Sequence, residues 1–251
     1  MNKRTVVFLH IPKTAGQTVH SELVRVVGKR ATSPVRVHTQ ASPTEQFPSG
    51  FRLYSGHLDW ICLNSLPHDR FVFSVLRDPR ERIASFYFYL LDKAEKLSPK
   101  SLLLPENTGM RNILRHSTDD YFFSGSPQWR RFIRDHFDNF YTAYFATRKM
   151  RGWSEISKLK KTERMGLALA GAKELDGVYD VKDLARLEAD LLDVLGKSVN
   201  LVNNRVNPGP HKIGNERWPE LMARLESDES VSRLEKMANL DTKLMSRLLV
   251  C

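Results

Sequence analysis

Cysteine is scarce: the 251 residues contain two, Cys62 and Cys251. That excludes a disulfide framework and fits a reducing compartment, so the expected location is cytoplasmic. No CxxC, HExxH or clustered His/Cys set occurs, and no metal is expected. Long apolar runs are missing as well: nowhere do about eighteen apolar residues follow one another, so no membrane span is expected. The start, "MNKRTVVFLHIPK", has the basic residues of a signal peptide, but its apolar run stops after Leu9 with no small-residue cleavage site behind it. Glycine is short where a nucleotide triphosphatase needs it. Its phosphate loop reads G-x-x-x-x-G-K-[ST], whereas in "FLHIPKTAGQT", Phe8–Thr18, Lys13 precedes the only glycine, Gly16.

Positive charge is in excess. Lysine and arginine number 39 against 29 acidic residues, a net charge of 39 − 29 = +10. The excess favours anionic partners such as nucleotides, acidic glycans or nucleic acid over the alternative of a basic surface kept for solubility. A nucleic-acid-binding domain would cluster its basic residues on one face or arm; here they are scattered.

The chain reads as one α/β domain spanning residues 1–251, with strands alternating with helices around a mostly parallel sheet. Thr5–Leu9 is a buried strand, and Thr18–Val27 a helix with Val19, Leu23, Val26 and Val27 on one face. "RLYSG" ends a short strand near Gly56, and Phe71–Leu76 is a further buried strand. Pro79 suits the first turn of a helix running to about Lys96. The stretch of about 98–173 is helical, with breaks at Ser124–Pro127 and Gly152. "DGVYDV" gives another strand. "KDLARLEADLLDVLGK" follows as an amphipathic helix, with Leu184, Leu187, Leu191, Leu192 and Leu195 on one face and Gly196 at its end.

Two segments carry chemistry. In the first loop Gly16 permits close approach of a ligand, Thr14 and Thr18 offer hydroxyls, the following helix offers unpaired N–H groups, and Lys13 adds a point charge. In the second, Arg77 stands at the C-terminal end of a buried strand, with Ser85 and Tyr87 on the next helix and Arg80 and Arg82 nearby. Alternatively Arg77 with Asp78, or Arg82 with Glu81, forms a surface arrangement of small energetic weight. Two anion sites on successive strand–loop–helix units imply a ligand with phosphates at two places.

"HIPKTAGQT" resembles the 5′-phosphosulfate loop of sulfotransferases, and "SVLRDPRERIASFYFYL" resembles their 3′-phosphate motif. The similarity is nearest to the branch containing the heparan sulfate 2-O- and 6-O-sulfotransferases and the chondroitin sulfotransferases. "SGHLDW" resembles that branch's catalytic-histidine segment, "VNNRVNPGPH" its nucleotide-closing loop, and "NLDTKLMSRL" its terminal helix, though without the family tyrosine. The resemblance implies a P-loop-like three-layer fold with a helical acceptor-side insertion. It implies 3′-phosphoadenosine 5′-phosphosulfate (PAPS) as donor, 3′,5′-bisphosphoadenosine as product and no metal. Lys13 would contact the 5′-phosphate and the bridging oxygen; Thr14, Ala15, Gly16, Gln17 and Thr18 would hold the 5′-phosphate; Arg77 and Ser85 would bind the 3′-phosphate. His57 would be the general base, an imidazole being suited to take a hydroxyl proton near neutral pH. His10 is its competitor, expected instead to pack beneath the loop.

The expected reaction is therefore sulfuryl transfer to a hydroxyl of an acceptor, a carbohydrate or glycosylated small molecule. Arg52, Asp59, Trp60, Tyr121, Trp129 and Arg130 are candidate acceptor contacts, each of which core packing or solvated surface explains as well. The alternative enzyme is a P-loop kinase using Mg–ATP, against which the missing first glycine and early lysine count.

Overall fold

The computed structural model describes residues 4–203 and 216–249. Four strands, β1 (Thr5–Leu9), β2 (Leu53–Gly56), β3 (Arg70–Leu76) and β4 (Gly177–Asp180), form a parallel sheet in the order β2-β1-β3-β4. Phe8 pairs with Ser55 on one side and Phe73 on the other, and Leu76 pairs with Asp180. The first connection runs from β1 to β2 on one side, and the second returns from β2 past β1 to β3 on the other, so the strand order reverses between β1 and β3. The carboxyl ends flanking such a reversal are where open α/β sheets bind ligands.

β1 and β3 are buried on both faces, which is why those runs read as apolar throughout rather than alternating, whereas in the edge strand β4 only Tyr179 is buried. On one face Val6, Phe8, Phe73, Val75 and Tyr179 pack against α1 (Gly16–Val27) and α10 (Leu184–Leu195). Val7, Leu9, Val72 and Leu76 point the other way, toward α7 (Phe140–Thr147), α9 (Lys161–Ala172) and α13 (Asn239–Leu248). The result is three layers. A separate aromatic cluster joins α2 (Pro79–Glu95) to α5 (Thr118–Phe123), α6 (Pro127–Phe137), α11 (Trp218–Met222) and α12 (Asp228–Lys236), through Tyr87, Phe88, Tyr121, Phe122, Trp129 and Phe137. The short α3 (Pro99–Leu102), α4 (Thr108–Arg115) and α8 (Trp153–Ile156) complete the helical middle.

Local signals explain most boundaries. Asp78 caps α2, accepting from Arg80 N and Glu81 N, with Pro79 in the first turn. Gly196 ends α10 in the left-handed conformation, φ 64°. One cap comes from far away: Asp241 of α13 accepts the N–H groups of Tyr141 and Thr142 at 2.8 and 2.7 Å, and the Thr142 hydroxyl at 2.8 Å. Burial drives its carboxyl up to about 6, against those hydrogen bonds and nearby Arg82. Two expectations need correction. Leu192 is 47% exposed, so the apolar face of α10 is narrower than its leucines imply. Arg82 is fully interior, donating to His136 O at 2.7 Å and lying 4.3 Å over the Phe140 ring, while Glu81 pairs with Arg77 instead.

Candidate active site

Between β1 and α1 the chain turns through His10–Ala15. Lys13 and Ala15 both take left-handed backbone angles, φ 73° and 62°, which cost non-glycine residues about 1–2 kcal/mol each. The buried Thr14 hydroxyl donates to Ile11 O at 2.9 Å and holds the turn shut. Left-handed residues alternating with ordinary ones turn successive N–H groups toward one point, an anion-binding concavity. Ala15, at the N-cap, has no side chain to cap α1, and the first turn contains no acid. Thr18 is buried and Gln17 exposed.

Gly16 is required here by packing. A Cβ on it would fall 1.6 Å from His10 Nε2. His10 is buried beneath the loop, its ring against Phe8 at 5.3 Å and against His57 at 4.2 Å between centroids. Gly16→Ala is expected to lose at least about 1–3 kcal/mol of stability through overpacking, read from denaturant unfolding. An unchanged midpoint would show that His10 has room to yield.

His57 follows β2 and is held on both sides. Its N–H donates to Arg36 O at 2.8 Å, and its Nδ1 lies 2.7 Å from His10 O. A carbonyl can only accept, so Nδ1 carries the hydrogen. Burial lowers the His57 pKa below the usual histidine value, Arg36, His38 and Arg82 add to that, and the bond to His10 O opposes it. The ring is then neutral at pH 7 with its lone pair on Nε2. His10 is driven much further down by burial and by neighbouring His57.

The segment carrying Arg36 is pinned by an interaction that local pattern does not reveal. Arg36 Nη1 donates to His20 Nε2 at 2.5 Å, which leaves His20 Nδ1 to donate to Ser55 Oγ of β2 at 3.0 Å. Burial and Arg36 hold the His20 pKa at about 4.

Arg77 leaves the end of β3 with its backbone fixed by one hydroxyl. Its N–H donates to Tyr141 Oη at 3.2 Å, and that hydroxyl donates to Arg77 O at 2.8 Å. The guanidinium meets Glu81 Oε2 at 3.1 Å and remains partly exposed. Glu81 Oε1 accepts the N–H groups of Arg217 and Trp218, each at 2.8 Å, which ties the start of α11 to the same carboxylate. Ser85 stands one turn further along α2 and is buried.

Lys13 is close enough to this cluster to feel its charge. Burial lowers its pKa to about 8, with Arg217 and Arg77 pushing the same way and Asp92 opposing. Three cations from the first loop, the end of β3 and the approach to α11 thus converge beside the sheet's reversal point. Their mutual repulsion is what an anionic ligand would relieve.

The structure therefore places Lys13, Thr14 and Ala15 in one loop with Gly16 and Thr18 in the first turn of the helix that follows, packs His57 against its base through His10, and places Arg77 near Lys13. Arg217, Glu81, Tyr141 and Arg36 belong to the same assembly and were not singled out from sequence. Arg217 belongs to no element or motif legible in the sequence, and the others act through contacts far apart in the chain. Among the candidate acceptor contacts, Trp60 and Tyr121 are fully buried, Trp129 Nε1 donates to Tyr121 O, and Asp59 accepts the Met150 N–H. These four are core. Arg130 is exposed. The expected nucleotide-closing loop lies mainly in 204–211, outside the described residues.

Among the described residues no cluster of His, Cys, Asp and Glu could hold a metal ion, and no helix is long and apolar enough to cross a membrane. A family model described as the sulfotransferase family matches residues 2–245. Among solved structures, a sulfotransferase from Alicyclobacillus acidocaldarius is similar at 16% identity, covering 94% of this chain and 96% of that one with a TM-score of 0.35. No curated protein matches the chain.

Proposed function

Since the chain belongs to the sulfotransferase family and is thereby a transferase of sulfuryl groups, we propose that its donor is PAPS and its acceptor a hydroxyl, with His57 as general base. Two observations carry this reading: Lys13 lies close enough to Arg77 and Arg217 to feel their charge, and the His57 imidazole, its tautomer fixed, packs against His10 at the base of the same loop. His57 Nε2 takes the acceptor's hydroxyl proton while the new S–O bond forms. Lys13 neutralises the charge gathering on the phosphate oxygen as the old S–O bond breaks. The loop Thr14–Thr18 holds the 5′-phosphate, and Arg77 with Ser85 binds the 3′-phosphate. The products are a sulfate ester and 3′,5′-bisphosphoadenosine. Positioning and charge stabilisation supply most of the rate, as in phosphoryl transfer.

The acceptor is proposed to be a carbohydrate or glycosylated small molecule, with the helical stretch 98–173 forming its side of a single cytoplasmic domain. The motifs resembling carbohydrate sulfotransferases and the net charge of +10 support this.

The test is thermal stabilisation by 3′,5′-bisphosphoadenosine, compared with AMP and with Mg–ATP. A ligand at a hundred times its Kd adds about 2.7 kcal/mol, which for a chain of this size raises Tm by roughly 5–10 °C. The bisphosphate is expected to stabilise without metal and AMP to do little. Arg77→Ala should weaken the bisphosphate by about 10–100-fold, the value of a charge-assisted contact, and leave AMP unaffected. Preference for Mg–ATP would overturn PAPS as the donor, and equal losses for both nucleotides would make Arg77 structural.

A further inference from the structure

Tyr89 departs from its neighbours on α2. Tyr87 and Phe88 are buried, whereas Tyr89 keeps 39% of its surface open. Lys13 Nζ lies 4.0 Å from its ring centroid, and Lys93 Nζ lies 5.1 Å away. Residues four apart share a helix face, so Glu81, Ser85 and Tyr89 form one row, which begins at the Arg77–Glu81 pair and ends at Lys13.

We infer that Tyr89 is a positioning residue for Lys13, its ring fixing the ammonium at the phosphate-binding loop by a cation–π contact. The inference rests on the reading of Lys13 as the cation of the donor site. A ring attracts an ammonium through its quadrupole and carries no net charge. A carboxylate in its place would hold Lys13 more firmly, but it would repel the incoming phosphate and have to be displaced. The ring covers one side of the ammonium and leaves other N–H groups free to donate. It also offsets the repulsion from Arg77, Arg217 and Lys93 that Asp92 counters only in part. Tyr89 therefore keeps a charged, half-desolvated lysine in place before the ligand arrives.

A double-mutant cycle reads this directly. Tyr89→Leu and Tyr89→Phe are compared in the wild-type chain and in Lys13→Met, with calorimetric binding of 3′,5′-bisphosphoadenosine and of adenosine 3′-phosphate. Tyr89→Leu is expected to weaken the bisphosphate by about tenfold, while the 3′-monophosphate stays within about twofold. Tyr89→Phe keeps the ring and should bind as wild type does. In Lys13→Met, Tyr89→Leu should cost nothing further. Equal losses for both nucleotides, or a loss that persists without Lys13, would overturn the inference. Should the wild-type chain prefer Mg–ATP, the donor reading fails, and the same cycle run on Mg–ATP still decides whether Tyr89 acts through Lys13.

Discussion

His57→Asn is expected to lower kcat by about 10²–10⁴-fold, the usual worth of a positioned base. The asparagine amide can still donate to His10 O, which preserves the packing of His10 beneath Gly16 while removing the lone pair of Nε2. Binding of 3′,5′-bisphosphoadenosine should stay close to wild type, because its proposed contacts come from the Lys13 loop and Arg77. Turnover near normal would remove His57 from the mechanism. The pH dependence has a definite sign. Only neutral His57 accepts a proton, and burial has moved its pKa below 6.5. The acid limb of kcat/KM should therefore lie below 6.5, with activity already full at neutral pH. A limb at 6.5 would mean that the imidazole is solvated, and one above 6.5 that it faces a carboxylate, both contrary to its surroundings here.

Lys13→Met should lower kcat by about 10²–10³-fold, the cost of removing one donor from a developing oxyanion. The wild-type profile should also bend downward on the alkaline side. Lys13 must be charged, and with its pKa lowered to about 8 in the free protein, kcat/KM falls as pH rises through that value. In kcat, which reports the bound complex, the limb should move to higher pH because an adjacent phosphate favours the ammonium. Lys13→Arg should remove the limb altogether, since a guanidinium does not lose its proton in this range. An alkaline limb that survives in Lys13→Arg would belong to another group.

What could be read from sequence follows the range of the interactions involved. Thr5–Leu9 is a strand in the structure with the same bounds, because five apolar or β-branched residues in a row have nowhere to go but a doubly covered sheet. The start of α2 at Pro79 and the end of α10 at Gly196 are equally local, written in cap chemistry. Arg82 misleads because its sequence neighbours are charged, whereas its burial is decided by Phe140 and His136, more than fifty residues away. The bond from His57 to His10 O spans 47 positions, and without it the tautomer is not apparent. Tyr89 sits in "FYFYLL", where helical spacing reads as core, yet it stays 39% exposed and meets Lys13 of the first loop, a contact that periodicity does not register.

The cap that Asp241 places on α7 spans 100 residues, and α7 supplies the Tyr141 hydroxyl that brackets the backbone of Arg77. During synthesis the ribosome emits both phosphate-binding segments early and the carboxylate that secures their frame much later. A nascent chain therefore carries the motifs of the donor site before it carries the support that sets their geometry. If the proposed donor site depends on this frame, competence to bind nucleotide is acquired late in translation, and chains stalled before α13 are expected not to titrate the donor from its pool.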